Sequence, residues 1–148
     1  MNQMKSKILV ILGPTASGKT KLAIKLALKF NGEIVSADSR QVYRGMDVGT
    51  GKDLEEYIVP YHLIDVASPK IRFDLAKYQK MAFKAIDDIL KRGKLPILAG
   101  GSGLYLQAVL DNYKLSDVKK NLELRKKLEK LAVVELFSKI KELAPKMA

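Results

Sequence analysis

The sequence predicts an α/β fold with three layers and a mainly parallel sheet, followed by a short C-terminal helical segment. Three observations predict it. A glycine-rich loop joins a strand-like run to a helix-like segment, strand and helix patterns alternate up to residue 111, and the remaining residues show helical periodicity alone. Strands that alternate with helices form βαβ units and a parallel sheet. We therefore divide the chain into an α/β catalytic core, residues 1–111, and a helical segment, residues 112–148.

Composition excludes several classes of protein. The 148 residues are 47% hydrophobic and 29% charged, which is typical of one soluble globular domain. The absence of Cys excludes disulfides, thiolate zinc sites and cysteine nucleophiles, and a single His excludes two-histidine metal motifs. The longest apolar run, Ile8–Leu12, is too short to cross a bilayer, and the first residues lack a secretory signal. We expect a cytoplasmic protein with no membrane partner.

The chain carries a large excess of positive charge. Its 27 Lys and Arg against 16 Asp and Glu give a net charge of +11. Such an excess attracts polyphosphates and nucleic acids. Since the lysines are spread along most of the chain, a general compositional tendency is the alternative interpretation.

Four segments are predicted strands: residues 7–12, 33–37, 61–66 and 95–99. The first is a continuous apolar, β-branched run, which indicates a strand buried on both faces of a parallel sheet. Pro96 lacks a backbone donor, so we expect it among the first residues of its strand or on an edge. The single histidine, His62, lies in the third segment, where we expect it to hydrogen-bond a neighbouring loop rather than to act in catalysis.

Apolar residues at intervals of three and four predict five helices. The first runs from Gly18 to Phe30 and is stopped by Asn31 and Gly32. The others cover a long segment from Leu75 to Arg92 and Gly93, residues 104–110, and two short charged stretches after residue 120.

Residues 13–20, GPTASGKT, match the P-loop pattern G-x-x-x-x-G-K-[ST] between a predicted strand and a predicted helix. In such a loop the backbone N–H groups point into one concavity at a helix N-terminus, Lys19 adds a positive charge and Thr20 offers a hydroxyl to Mg²⁺. A chance glycine-rich turn is the alternative. The residues predicted to bind a diphosphate or a nucleotide are Gly13, Pro14, Thr15, Ala16, Ser17, Gly18, Lys19 and Thr20.

Polar residues follow the second and fourth predicted strands at their carboxyl ends, where parallel sheets bind ligands. If the first two strands pair directly, Asp38 lies within reach of the phosphate loop; its alternative role is to cap a turn with Ser39. The loop that follows contains Arg and Gln, forked donors suited to bases and phosphates. Residues 100–103 form a second glycine loop, which is a ligand contact or a tight turn.

Four stretches of the chain resemble tRNA dimethylallyltransferases, also called tRNA isopentenyltransferases. They are GPTASGKT at 13–20, SADSRQVYRGMDVGTGK at 36–52, HLID at 62–65 and GKLPILAGGSGLYLQAVLD at 93–111. The first is shared with many nucleotide enzymes, whereas ADSRQVYRGMDVGT combined with GGSGLYL is much more restrictive.

The resemblance implies transfer of a dimethylallyl group from dimethylallyl diphosphate to N6 of the adenosine 3′ of the tRNA anticodon. The resemblance further implies that the phosphate loop holds the prenyl diphosphate and that Lys19 neutralises the leaving group. It implies that Thr20 lies near Mg²⁺ and that Asp38 is the catalytic base. It also implies contacts with the tRNA anticodon stem-loop by Asp38, Ser39, Arg40, Gln41 and Ser102. We expect a monomer.

Members of this family are longer, and residues 112–148 resemble only the start of their helical insertion. Two alternatives therefore stay open. A small P-loop kinase would bind ATP and phosphorylate a nucleoside or metabolite, but its lid arginines have no recognisable motif among Arg72, Arg92 and Arg125. An inactive remnant would bind tRNA without turnover.

Overall fold

A four-stranded parallel sheet forms the centre of the first part of the chain. In the computed structural model, which describes residues 7–52, 54–115 and 121–145, the strands are β1 Leu9–Leu12, β2 Gly32–Ser36, β3 Tyr61–His62 and β4 Leu95–Gly100. Their order is β1-β4-β2-β3, and every neighbouring pair is parallel. The predicted α/β class is confirmed.

Helices cover both faces of this sheet. They are α1 Lys19–Phe30, α2 Leu75–Lys91 and α3 Gly103–Leu110, with a short 3-10 turn at Leu54–Glu56. Because side chains alternate along a strand, Ile34 and Ile97 pack into the core on the α1 side, whereas Val35 and Leu98 pack with α2 and α3. The three predicted layers are therefore present.

Local signals set the helix ends. Asp74 caps α2 by accepting a hydrogen bond from the backbone N–H of Lys77 at 3.1 Å. Asn31 ends α1 in the left-handed conformation, with φ 51°, and its N–H donates to the Ala27 carbonyl. The stop predicted after Phe30 is confirmed.

Two strand predictions need correction. β1 is an edge strand whose Val10 and Leu12 are 37% and 64% exposed, so the predicted burial on both faces is wrong. β3 ends at His62 because Leu63 and Asp65 adopt φ values of 66° and 55°, which an extended strand cannot accommodate. Pro96 is the second residue of β4, as expected, although that strand is central rather than peripheral.

An ion cluster joins four elements at the end of the sheet where β2 and β4 begin. The Glu33 side chain is 2% exposed and accepts hydrogen bonds from Arg92, from Lys94 at 2.8 Å and from His62 at 2.8 Å. The Arg92 hydrogen bonds hold the pKa of Glu33 well below its usual range. The partner of His62 is therefore a buried strand residue, not the neighbouring loop we expected.

The chain divides into two compact units, Met1–Lys114 and Leu115–Ala148, whereas the sequence analysis divides it after residue 111. The second unit contains α4 Leu122–Leu128 and α5 Val133–Leu143, which confirms the two short helices. Asn121 caps α4 by accepting from the Leu124 N–H at 2.9 Å. Within the described residues, every helix is too short or too polar to cross a membrane.

Candidate functional site

One cavity of about 370 Å³ opens at the carboxyl ends of β1, β2 and β4. Six residues of the phosphate loop line it, together with residues that follow β2 and β4 and with the segment around residue 50. Parallel sheets bind ligands at this edge because the loops of several strands meet there. The residues that line it include Thr15–Thr20, Ala23, Ile34, Asp38, Gln41, Thr50, Gly51, Tyr57, Ala99, Gly100 and Gly101.

The phosphate loop is folded back onto itself between β1 and α1. The Ser17 hydroxyl and the Lys19 ammonium both donate to the Pro14 carbonyl, at 2.8 and 2.5 Å. Gly18, at φ 82°, is the N-cap of α1, and the first turn of the helix contains no acidic residue. The loop thus presents unpaired helix N–H groups and a lysine to the cavity, a surface suited to an anion. Gly13 and Pro14 belong to the loop but do not line the cavity.

Asp38 reaches the same cavity by a route that differs from the predicted one. β4 lies between β1 and β2, so the first two strands do not pair directly and the condition set by the sequence analysis is not met. Asp38 nevertheless lines the cavity because all the strands are parallel and end at one edge. Its Oδ1 accepts from the backbone N–H of Arg40 at 2.8 Å and of Gln41 at 3.4 Å. The turn cap and the position at the cavity therefore occur together.

The second glycine loop, residues 100–103, meets the turn that begins at Asp38. The Ser39 N–H donates to the Ser102 hydroxyl oxygen at 3.0 Å, and the two hydroxyls are 3.2 Å apart. Gly100 permits this contact, since a Cβ there would lie 2.1 Å from the Ala37 carbonyl oxygen. The structure thus brings Ser39 and Ser102 together, and it leaves Arg40 exposed next to them.

Gln41 is buried and uses its amide inside the protein. Its Oε1 accepts from the Ser36 hydroxyl at 3.1 Å, and its Nε2 donates to the Gly51 carbonyl at 3.0 Å. These bonds hold the segment around Gly51 against the cavity. A tRNA contact of Gln41 stays a prediction, and the geometry gives its side chain a positioning role.

Sequence reasoning missed Lys52, a fully buried side chain that fixes the loop after Asp38. Its ammonium donates to the Tyr43 carbonyl, to Asp47 at 3.1 Å and to Asp65 at 2.5 Å. The ion pairs tie residues 43–52 to the segment after β3. Asp65 lies 13 positions from Lys52, so neither helical nor strand periodicity indicates that these two side chains pair. The available signal in the sequence was the GTGK stretch that ends at Lys52.

The described residues contain no group of three or more His, Asp or Glu side chains that could hold a metal ion. The Thr20 hydroxyl lines the cavity, where it could donate one oxygen to Mg²⁺. Magnesium at phosphate sites takes few protein ligands and completes its shell with phosphate oxygens and water. The residues present therefore fit a magnesium ion that arrives with a diphosphate.

Comparisons with known proteins agree on one family. A family model described as IPP transferase matches residues 41–148. The tRNA dimethylallyltransferase 1 of Geotalea uraniireducens is 49% identical over 145 residues, which cover 97% of this chain and 48% of that protein. The tRNA dimethylallyltransferase 1 of Syntrophus aciditrophicus is 50% identical over 149 residues, which cover 97% of this chain and 49% of that protein. The chain spans about half the length of these curated relatives.

Solved structures show the same likeness. The full-length tRNA isopentenylpyrophosphate transferase of Bacillus halodurans aligns with a TM-score of 0.73 at 44% identity, over 97% of this chain and 49% of that chain. A eukaryotic dimethylallyltransferase acting on tRNA aligns with a TM-score of 0.85 at 31% identity, over 96% of this chain and 37% of that chain.

Proposed function

Because the chain belongs to the IPP transferase family, we propose that it forms the diphosphate-binding and base-bearing part of a tRNA dimethylallyltransferase. The reaction would transfer a dimethylallyl group from dimethylallyl diphosphate to N6 of the adenosine 3′ of the anticodon. One observation carries this proposal: the phosphate loop and Asp38 line a single cavity. A leaving diphosphate and an attacking amine need this arrangement.

Asp38 would act as the general base. The adenine amino group is a weak nucleophile because its lone pair is delocalised into the ring. In the proposed step the N6–C bond forms while the allylic C–O bond breaks, diphosphate leaves with the bonding electrons, and the N6 proton passes to Asp38. Help of this kind contributes about 10²–10⁴-fold to a rate.

The phosphate loop would stabilise the departing diphosphate. Residues 15–20, among them Lys19 and the first residues of α1, line the cavity where negative charge would grow. A magnesium ion held by Thr20 and the phosphates would supply further charge neutralisation. Electrostatic stabilisation of a developing anion is commonly the largest single contribution to catalysis.

The exposed rim beside Asp38 would contact the tRNA. Ser39 and Ser102 contact each other next to Asp38 and Gly101, two residues that line the cavity, and Arg40 follows Ser39 in an exposed position. These residues would offer two hydroxyls and a guanidinium to an anticodon loop. The target adenosine must leave its stack to enter the cavity. We place this activity in the cytoplasm, carried out by a monomer.

The test is a nucleoside mass spectrum of unmodified tRNA incubated with the protein, dimethylallyl diphosphate and Mg²⁺. We expect the prenylated adenosine from the chain or from a fusion that adds the C-terminal half of the Geotalea relative. Phosphorylation dependent on ATP would instead support the kinase. Salt-sensitive tRNA binding without product in either form would support the inactive remnant. The kinase has little structural support, since neither Arg72 nor Arg92 lines the cavity.

A further inference from the structure

We infer that Tyr57 forms the wall against which the hydrocarbon chain of the prenyl diphosphate packs, and that it thereby selects a short chain. The inference rests on the proposed function, because it concerns the donor bound at the same cavity. Tyr57 lies in a segment of the sequence without strand or helix periodicity, so no local pattern indicates a role for it.

Beyond the phosphate loop, the cavity has an apolar wall. Ala23, Ile34 and Ala99 line it, and all three belong to the buried core between α1 and the sheet. Tyr57 packs against that core and lines the cavity with them. An apolar surface inside a phosphate-binding cavity does not help to bind a diphosphate alone, whereas it would stabilise a hydrocarbon chain attached to that diphosphate.

The Tyr57 ring lies between the phosphate loop and a second aromatic ring. Thr20, the last residue of the phosphate loop, lines the same cavity as Tyr57. The Tyr57 ring contacts Tyr61 with centroids 4.8 Å apart. No buried side-chain nitrogen or oxygen among the described residues lacks a hydrogen-bond partner, so the ring can present an apolar face without leaving a buried polar group unsatisfied.

The ring lies at the same cavity as the groups proposed to react with the donor. Thr20, at the end of the phosphate loop, and Asp38 line that cavity together with Tyr57. Burial raises the pKa of the Tyr57 hydroxyl. A chain that leaves the phosphate loop toward Asp38 therefore passes Tyr57. A five-carbon chain would be covered by the ring, and a ten-carbon chain would have to displace it.

The experiment measures the affinity of the 148-residue chain for three probes in the presence of Mg²⁺. The probes are inorganic diphosphate, dimethylallyl diphosphate and geranyl diphosphate. The variants are Tyr57→Ala and Tyr57→Phe. The matched control is Ile58→Ala, which removes a neighbouring side chain that is 71% exposed and does not line this cavity.

For the wild-type chain we expect dimethylallyl diphosphate to bind more tightly than either other probe. Tyr57→Ala should lower the affinity for dimethylallyl diphosphate about tenfold relative to the affinity for inorganic diphosphate. It should also remove most of the preference for dimethylallyl diphosphate over geranyl diphosphate. Tyr57→Phe and Ile58→Ala should keep both preferences within about threefold. Inorganic diphosphate serves as the test of folding, since it needs the phosphate loop alone.

Two failures are distinguishable. A wild-type chain that binds none of the three probes contradicts the proposed function. A chain that binds inorganic diphosphate, but whose preference among the probes is the same in Tyr57→Ala as in the wild type, overturns the role of Tyr57 and leaves the proposed function standing.

Discussion

At Asp38, one carboxylate oxygen has a structural task and the other does not. Oδ1 accepts from the N–H groups of Arg40 and Gln41, and no hydrogen bond among the described residues uses Oδ2. A base that is already held by its own turn loses little freedom when a substrate binds. The same turn explains why the sequence alone left two roles open for this residue.

Asp38→Asn separates these two roles. The amide oxygen can still accept from both N–H groups, so the turn should persist, but the side chain can no longer take a proton. We expect prenyl transfer to fall at least about a hundredfold while diphosphate affinity is unchanged. The measurement is single-turnover kinetics on the form of the protein that is active. Unchanged turnover would remove Asp38 from the role of base.

Gly100 allows β4 to approach the Asp38 turn. A Cβ at this position would lie 2.1 Å from the Ala37 carbonyl oxygen, a backbone atom that cannot swing aside. We expect Gly100→Ala to lower the free energy of unfolding by about 3 kcal/mol, the upper end for overpacking. Urea denaturation measures it. Gly103→Ala is the control, because a Cβ there meets nothing within 4 Å and lies in a helix; equal losses in both would contradict the steric explanation.

Between elements, the Glu33 cluster fixes the end of the sheet where β2 and β4 begin, whereas the site lies at their carboxyl ends. Its hydrogen-bond partners come from β3, from the C-cap of α2 and from the residue before β4. A buried carboxylate paired with Arg92 and Lys94 depends strongly on these cations, since removal of one side leaves buried charge uncompensated. The cluster therefore holds the scaffold and takes no part in the chemistry.

Glu33→Gln tests this through pH. The folded-state pKa lies below the ordinary value of 4.5, so the stabilisation is complete above that value and is lost as pH falls below it. We expect the variant to lose about 3 kcal/mol near neutral pH. That difference should shrink by up to about 1.4 kcal/mol per pH unit under acid conditions.

Urea denaturation across the acid range provides the measurement. Asp88→Asn is the control, since Asp88 bonds the same Arg92 at 2.9 Å but is 62% exposed. It should change stability by less than about 1 kcal/mol. If the difference in the free energy of unfolding between wild type and Glu33→Gln grew as pH fell, the result would contradict a Glu33 carboxylate that is stabilised in its charged form.

For the whole molecule, the net charge of +11 bears on tRNA binding. Counterion release makes such binding weaken with salt in proportion to the phosphates neutralised. We expect affinity for the anticodon stem-loop to fall about tenfold when the salt concentration is raised fourfold, as two phosphate contacts would require.

Arg40→Gln should reduce the logarithmic salt slope by about one if Arg40 contacts a phosphate. Arg72→Gln removes an equal charge from another exposed position that does not line the cavity, so it is the matched control. Fluorescence anisotropy of a labelled stem-loop gives both slopes. Affinity that is independent of salt, or slopes that the two variants change equally, would contradict a specific phosphate contact at Arg40.

Local patterns were sufficient to predict the helices and the phosphate loop, because each depends on residues near one another in the chain. The stop at Asn31, the cap region of α2 and the GPTASGKT loop all involve contacts within one or two turns. The resemblance supplied the roles of Asp38, Ser39 and Ser102; in the structure Asp38 lines the cavity, and Ser39 and Ser102 contact each other beside it.

The sequence by itself determined the α/β class, the phosphate loop and the acidic residue after β2, since short-range periodicity and motif spacing encode them. Tertiary structure alone decided that β4 separates β1 from β2, that β1 is exposed at an edge, that Lys52 pairs with Asp65 and that Tyr57 lines the cavity. Strand order, burial and ion pairing depend on contacts between residues distant in the chain, and no local pattern records which distant partner a side chain meets.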